Sequence, residues 1–436
     1  MTRKRSAVPS SRIGRLLRFG LLSGELSLNS AFAGAKQLTS GKRPDVLSTM
    51  LTPRNAELLV RRLATLRGPA MKVGQMLSLQ GEDILPPVFR ETLEMLRSQG
   101  FSMPDSQLKG VLGREYGKGW ESRFRKFDTE PVAAASIGQV HRVTRAHGRE
   151  LALKVQYPGV ARSIDSDVDN LASLMKRINF LPVSLDVDAL ATEAKRQLRL
   201  EADYLLEAEN IRRFRRLLVD MPELAVPRVD MSLTTKRVLA TDWIDGEPLE
   251  HLCGEAVPQV RRNEVGQSLY QLLFRELFEF GFMQTDPNLA NYLYLPAERR
   301  VALLDFGSVC TYSAEFMSRY RRIVRGVMAD DRAAIREGAI EIGYVGAGDP
   351  AEMLDGAVDI IQLVCEPITH RGSYDFGASR LASRARDLGI AIAFGKGLRS
   401  PPPETMFLHR KLAGTFLACA RLRANVNVRA LLEPYL

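Results

Sequence analysis

Apolar residues recur at helical spacing from Asn55 to about Leu96: Leu58, Leu59, Leu63 and Leu66, then Met71, Met76, Leu77 and Leu79. Gly68-Pro69 interrupts this run, and Pro86-Pro87 sets off a further helix ending near Leu96. Upstream, Gly34 to Pro53 is rich in Gly, Ser, Thr and Pro and reads as a linker. The pattern changes at Phe124 to Val143, which combines alternation with a small-residue loop, and then gives a strand, Glu150 to Gln156. Helical periodicity resumes from Ile164 to Leu218, and a second strand spans Thr235 to Ile244 before Asp245-Gly246-Glu247. From Asn263 the chain is mostly helical. The exception is Asp286 to Phe306, which holds two short strand-like runs, Tyr292 to Leu295 and Val301 to Leu304. Pro401 to Pro403 marks a late break. The pattern predicts an α+β chain: a basic, partly disordered segment (1–54), a helical extension (55–130), a smaller mixed half (131–245) and a mostly helical half (246–436).

Composition narrows the class. The 436 residues are 45% hydrophobic and 26% charged, which suits a folded chain and excludes wholesale disorder. The longest apolar candidate for a membrane span, Leu269 to Met283, is broken by Arg275, Glu276 and Glu279. Four cysteines with no close pair argue against a disulfide framework or a close-spaced zinc site, and the chain reads as intracellular. The net charge is +10, and Arg3, Lys4, Arg5, Arg12, Arg15 and Arg18 place six of those charges in the first twenty residues. Over Arg12 to Leu22, Ile13, Leu16, Leu17 and Leu21 share one helical face, with Arg12, Arg15 and Arg18 largely opposite. Such a helix suits an anionic membrane surface; an acid-free, Arg-rich start also fits a mitochondrial transit peptide or a frayed tail. Nucleic acid is disfavoured, because no aromatic residues interleave with later basic clusters.

The chemistry concentrates at Asp286 to Gly307. Asp286 and Asn291 lie five apart in a loop, and Asp305-Phe306-Gly307 follows a short apolar strand 19 residues after Asp286. That is the order of a protein-kinase catalytic half. A hard cation on ATP phosphates calls for oxygen donors, which Asn291 and Asp305 supply, while Asp286 would orient or deprotonate the acceptor. A second copy, Asp375-Phe376-Gly377, lacks the upstream Asp and Asn and reads as a turn. Lys154, in the strand, is placed to reach the α/β-phosphates, and its apolar flanks call for a charge partner. Glu201, Asp203 and Glu207 are candidates, with Glu207 preferred. Where a kinase has its Gly-rich loop, this chain has Ala133, Ala134, Ala135, Ser136, Ile137 and Gly138. Alanine narrows the backbone freedom there, while amides and the Ser136 hydroxyl remain able to meet phosphate.

As a set, these motifs, with Lys72-Val-Gly-Gln75 upstream, resemble the UbiB/AarF atypical kinase-like family over about residues 55–436. Gln284-Thr-Asp-Pro-Asn288 and Phe407-Leu-His-Arg-Lys411 are most similar to its ubiquinone-biosynthesis branch. The resemblance implies a protein-kinase-like two-lobed fold with an N-terminal helical extension and a mostly helical C-lobe. It implies ATP and Mg2+ as cofactors, with adenine met by the hinge near Asp242 and Ile244. It also implies that Lys72 and Gln75 project into the active site, Lys72 near Glu201 or Asp203, restricting protein phosphorylation in favour of ATP hydrolysis or action on a small or lipid-like molecule. The partners implied are anionic membrane lipid, polyprenyl-quinone precursors and the enzymes that modify them. Some relatives carry C-terminal transmembrane helices and this sequence shows none, so membrane contact is expected to be peripheral: at the cytoplasmic side of a bacterial inner membrane or, alternatively, in the mitochondrial matrix. The competing readings are an ATP-gated switch or scaffold and, more remotely, a conventional Ser/Thr kinase.

Overall fold

A computed structural model of the protein describes residues 102–178, 187–254, 256–396 and 402–436. Lys72, Gln75, the basic segment 12–22 and most of the helical extension lie outside the described residues. The chain divides into two compact units: one takes residues through Arg212 with Arg228–Ile244, the other Arg213–Pro227 with Asp245–Leu436.

The first unit opens with α1 (Asp105–Tyr116), β1 (Phe124–Phe127), β2 (Ala133–Ala135), β3 (Gly138–Arg145) and β4 (Glu150–Gln156). Then come α2 (Val160–Ile178), α3 (Val187–Glu201) and α4 (Tyr204–Leu217). After β5 (Leu224–Ala225), which belongs to the second unit, β6 (Val238–Asp242) completes an antiparallel sheet in the order β1-β3-β4-β6. β2 shares the β1 edge of β3. The helical period read over Ile164 to Leu218 thus resolves into three helices, and the Glu150–Gln156 strand is β4. Phe124–Phe127, on the extension side of the boundary drawn at residue 130, is a strand of this sheet; edge-on contacts among Trp120, Phe124 and Phe127 anchor it. Along β4, Leu151, Leu153 and Val155 are buried on one face and Lys154 lies on the other, as the two-residue pleat requires. α1 buries Leu108, Val111, Leu112 and Tyr116, and the Tyr116 hydroxyl donates to the Leu233 carbonyl at 2.5 Å.

The second unit is mostly helical. β7 (Glu247–Pro248) precedes α5 (Gln259–Phe274), which runs directly into a π-helical turn, Arg275–Phe280. Four strands follow: β8 (Phe282–Gln284), β9 (Tyr292–Leu295), β10 (Arg300–Leu303) and β11 (Val309–Thr311). They are succeeded by α6 (Ala314–Met328), α7 (Arg332–Ile342), α8 (Ala351–Val364), β12 (Tyr374–Asp375), α9 (Leu381–Lys396), α10 (Pro403–Leu422) and β13 (Asn425–Val426). β9 and β10 form a hairpin inside the sheet β5-β10-β9-β7, and β8 pairs antiparallel with β11, Gln284 opposite Val309. Phe214 packs on Phe282 and Phe306 with ring centroids 5.1 and 4.8 Å apart, so the residues around the Asp286–Asp305 region share an aromatic core. The architecture is α+β, as the pattern predicts.

Candidate active site

In the first unit, the pleat that buries Leu153 and Val155 turns Lys154 to the opposite face, where α4 meets it. Lys154 Nζ lies 2.9 Å and 3.0 Å from the two oxygens of Glu207, whose side chain is 1% exposed, and 5.2 Å from the centre of the Tyr204 ring. A bidentate carboxylate plus an aromatic face holds the ammonium in one place. Gly138 makes this approach possible: a Cβ there would sit 2.5 Å from the Val155 carbonyl oxygen and 2.9 Å from the Tyr204 hydroxyl.

The other first-unit candidates are arranged differently from the expectation. Ala133–Ala135 is not a loop but strand β2, paired residue by residue with β3 (Ala133 to Val140, Ala134 to Gln139, Ala135 to Gly138), leaving only Ser136 and Ile137 as a two-residue turn. Ile137 is fully buried and its carbonyl accepts from Tyr157 N, so its side chain packs rather than binds. The Ser136 hydroxyl donates to the Glu201 carboxylate at 2.6 Å. Asp203 caps α4, accepting from the amides of Leu205 and Leu206 at 3.1 Å. At the hinge, the Asp242 amide donates to Arg228 O and its carboxylate pairs with Arg149, while the Trp243 amide donates to Glu150 O. The Asp242 and Trp243 amides are thus bonded within the sheet unit, while the Asp242 carbonyl takes no part in these two bonds.

In the second unit, the Asp286 carboxylate pairs with Arg410 of α10 at 2.9 Å, both side chains largely buried. Asn291 Nδ2 donates to the Asp286 carbonyl at 3.3 Å, which turns the amide oxygen away as the available metal donor. Asn291 O accepts from Leu304 N at 2.9 Å, tying the loop to the residue before Asp305. Asp305 Oδ1 accepts from Gly307 N at 2.9 Å. Thr285 N donates to Ser308 O at 2.9 Å, a second tie between the two segments. Asn291 and Asp305 line one small cavity together with Glu276, Gln284 and Lys411. Of these lining residues, Asp305 carries a carboxylate and Asn291 an amide oxygen, donor types that a hard divalent cation accepts.

Four residues given no role on the sequence complete this region. Lys411 and Glu276 form a buried ion pair at 2.9 Å. Burial alone would lower the Lys411 pKa, but Glu276 and Tyr292 outweigh it and hold the ammonium above the ordinary lysine value. Gln284 lies between this pair and the loop carbonyls, and Arg410 faces Asp286. The signals were present: Arg410 and Lys411 close the Phe407–Lys411 motif, and Glu276 is one of the charges interrupting an apolar run. Gly414, one turn on, lets α10 pass against the Asp286–Asn291 loop, since a Cβ at 414 would overlap Pro287.

No helix among the described residues is long and apolar enough to cross a membrane. The ABC1 atypical kinase-like domain matches residues 95–339. The chain is 41% identical over 428 residues to the atypical kinase COQ8B, mitochondrial, of Rattus norvegicus, covering 98% of this chain and 80% of that protein. It is 35% identical to the atypical kinase COQ8, mitochondrial, of Saccharomyces cerevisiae, covering 99% and 86%. The solved structure of Rv3197 with erythromycin, from Mycobacterium tuberculosis, aligns with TM-score 0.61 and 26% identity over 87% of this chain and 95% of that one. With a domain match over more than half its length and relatives that span nearly all of it, this chain, α+β and kinase-like in fold, belongs to the ABC1 atypical kinase-like family, the UbiB family its motifs resemble.

Proposed function

We propose that the protein is an ATP- and Mg-dependent atypical kinase or ATPase supporting ubiquinone biosynthesis at a membrane surface. The observation that carries this reading is the bidentate Lys154–Glu207 pair, which fixes a cation of the kind that receives the α/β-phosphates. Asn291 and Asp305 would hold magnesium, and the bound ion supplies charge neutralisation at the β/γ-phosphates. Asp286, held by Arg410, would orient the attacking oxygen of water or of a small, lipid-like acceptor. Backbone amides of the Ala133–Gly138 hairpin would border the phosphates, and Ile244 would meet adenine.

Lys72 and Gln75 are assigned the occluding role that the motif resemblance implies, beside Glu201 and Asp203. Glu201 is engaged by Ser136 and Asp203 by the start of α4. Anionic lipid, polyprenyl-quinone precursors and their modifying enzymes are the proposed partners. The relatives named mitochondrial support the matrix over the bacterial inner membrane as the compartment.

The test is Mg-ATP turnover by wild type and Asp305→Asn, with and without anionic vesicles. Turnover that rises with lipid and vanishes in the variant supports the enzyme; equal turnover in the two proteins rejects it. One observation favours a second reading, an ATP-gated switch: the Ser136 hydroxyl, at the position where phosphate would bind, is taken by Glu201. If Asp286→Asn binds ATP without turning it over yet still restores quinone synthesis in a deficient cell, the switch is favoured.

A further inference from the structure

Two buried charges lie under the catalytic loop and take no part in the proposed transfer. Glu276 and Lys411 are 0% and 2% exposed at their side chains. Replacing such a pair by apolar groups of similar size is often neutral or stabilising, so stability alone does not account for it. The backbone adds an independent observation. α5 leaves α-helical winding at Arg275 and continues as a π-helix to Phe280, an uncommon conformation that tends to sit at functional sites, and Glu276 is in its first turn.

Besides Tyr292, the pair holds Gln284. Glu276 Oε1 accepts from the Gln284 backbone amide at 3.0 Å, and Lys411 Nζ donates to Gln284 Oε1 at 3.1 Å. An ammonium can only donate, so it can face only the oxygen of a side-chain amide. Lys411 therefore selects one of the two amide orientations and sends Gln284 Nε2 the other way. There Nε2 donates to the Asp286 carbonyl at 2.6 Å and reaches the Asp305 carbonyl at 3.4 Å. One neutral amide thus bridges the backbone of the nucleophile-orienting aspartate and that of the metal-binding aspartate.

We infer that Glu276 and Lys411 are positioning residues, which lock the Gln284 amide and through it set the spacing of Asp286 and Asp305 for magnesium. The inference rests on the kinase reading above and adds the element that holds its metal site in register.

The deciding variants are Gln284→Met, which removes the amide and keeps the ion pair, and the double Glu276→Gln/Lys411→Met, which removes both charges together. Singly, either charge change would strand a buried ion. Three quantities are read: the melting temperature, ATP binding in EDTA, and the magnesium concentration for half-maximal turnover. Gln284→Met should melt within a few degrees of wild type and bind ATP unchanged without metal. It should need about tenfold more magnesium and turn over about tenfold more slowly, in the range typical of losing a group that orients a metal ligand. The double variant should show the same magnesium shift, and a wild-type requirement in it equally overturns the inference; should it fail to fold, Gln284→Met still decides the amide bridge on which the inference depends. A wild-type magnesium requirement in Gln284→Met overturns the inference, even if the melting temperature falls. Asp305→Asn, run beside them, separates the two ideas. Loss of turnover there with wild-type behaviour in Gln284→Met defeats the positioning role only, whereas turnover surviving Asp305→Asn defeats the kinase reading and the inference with it.

Discussion

The tripeptide Asp-Phe-Gly occurs twice, at 305–307 and 375–377, and the same side-chain-to-backbone bond closes both. In each, the Asp Oδ1 accepts from the Gly amide at 2.9 Å, and the Phe ring is buried among other rings: Phe306 against Phe214 at 4.8 Å, Phe376 against Tyr270 at 5.3 Å and Phe416 at 5.4 Å. The tripeptide is therefore a turn with an apolar plug, an Asx-type device any surface can use. The surroundings differ. Asp305 follows β10, inside a four-stranded sheet, and shares a cavity with Asn291. Asp375 ends the two-residue β12, is exposed, and spends the same oxygen on Ala378 N as well. Three residues make the turn; the proposed metal-binding role of Asp305 rests on the residues around it.

The largest expected effect divides the two copies on that ground. Asp305→Asn should lower Mg-ATP turnover on the order of 1,000-fold, the scale of removing one preorganised charge interaction with a transition state. Asp375→Asn should leave turnover within about twofold, since no phosphate or metal chemistry is assigned there. Steady-state ATP hydrolysis by the two variants side by side is the measurement. An equal loss in both would mean that the turn itself, and not its neighbours, carries the activity.

The comparison also shows where the sequence is informative. Local period and order suffice for β4, for the Asp286–Asn291–Asp305 series, and for dismissing Asp375, because each is decided within about twenty residues. Hydrogen bonds between distant segments are not visible in that way. Ser136 turning to Glu201, the Asp242 amide spent on Arg228, and Lys411 meeting Glu276 each depend on which segments the fold brings side by side. Arg275 and Glu276 show the limit most directly: as charges in an apolar run they argued against a membrane span, yet both are buried, each answered by a partner the local pattern cannot name.

A smaller effect comes from the glycines. A Cβ at Gly414 would overlap Pro287, and since α10 is a regular helix, the Asp286-Pro287 segment would have to move. Gly414→Ala should cost about 1–3 kcal/mol in overpacking and lower turnover about tenfold. Gly377→Ala meets Arg423 Cβ at 2.9 Å, so it should cost stability while turnover per folded molecule is unchanged. Denaturant melts paired with turnover would check both; a fully active Gly414→Ala would show that the loop tolerates displacement.

The smallest effect is one the two copies should share, because α10 serves both. It offers Arg410 to Asp286 and Lys411 to Gln284, and it packs Phe416 on Phe376. Between these contacts and the start of the helix stands His409, whose ring lies 2.7 Å from the Tyr344 hydroxyl. Burial penalises the imidazolium and lowers its pKa to about 4. The folded protein then stays unprotonated at His409 while the unfolded chain takes up a proton near pH 6.5. Stability from this group is complete above pH 6.5, declines as pH falls toward 4, and is level below that. Over that window the loss should reach about 2 kcal/mol, the full shift being reduced for partial exposure. Urea melts at pH 7 and pH 4.5 on wild type and His409→Gln measure it, the variant losing that part of the slope. Because one helix is being weakened, acid should loosen both regions together, whereas the substitutions above separate them; a slope unchanged in His409→Gln would place the acid sensitivity elsewhere than α10.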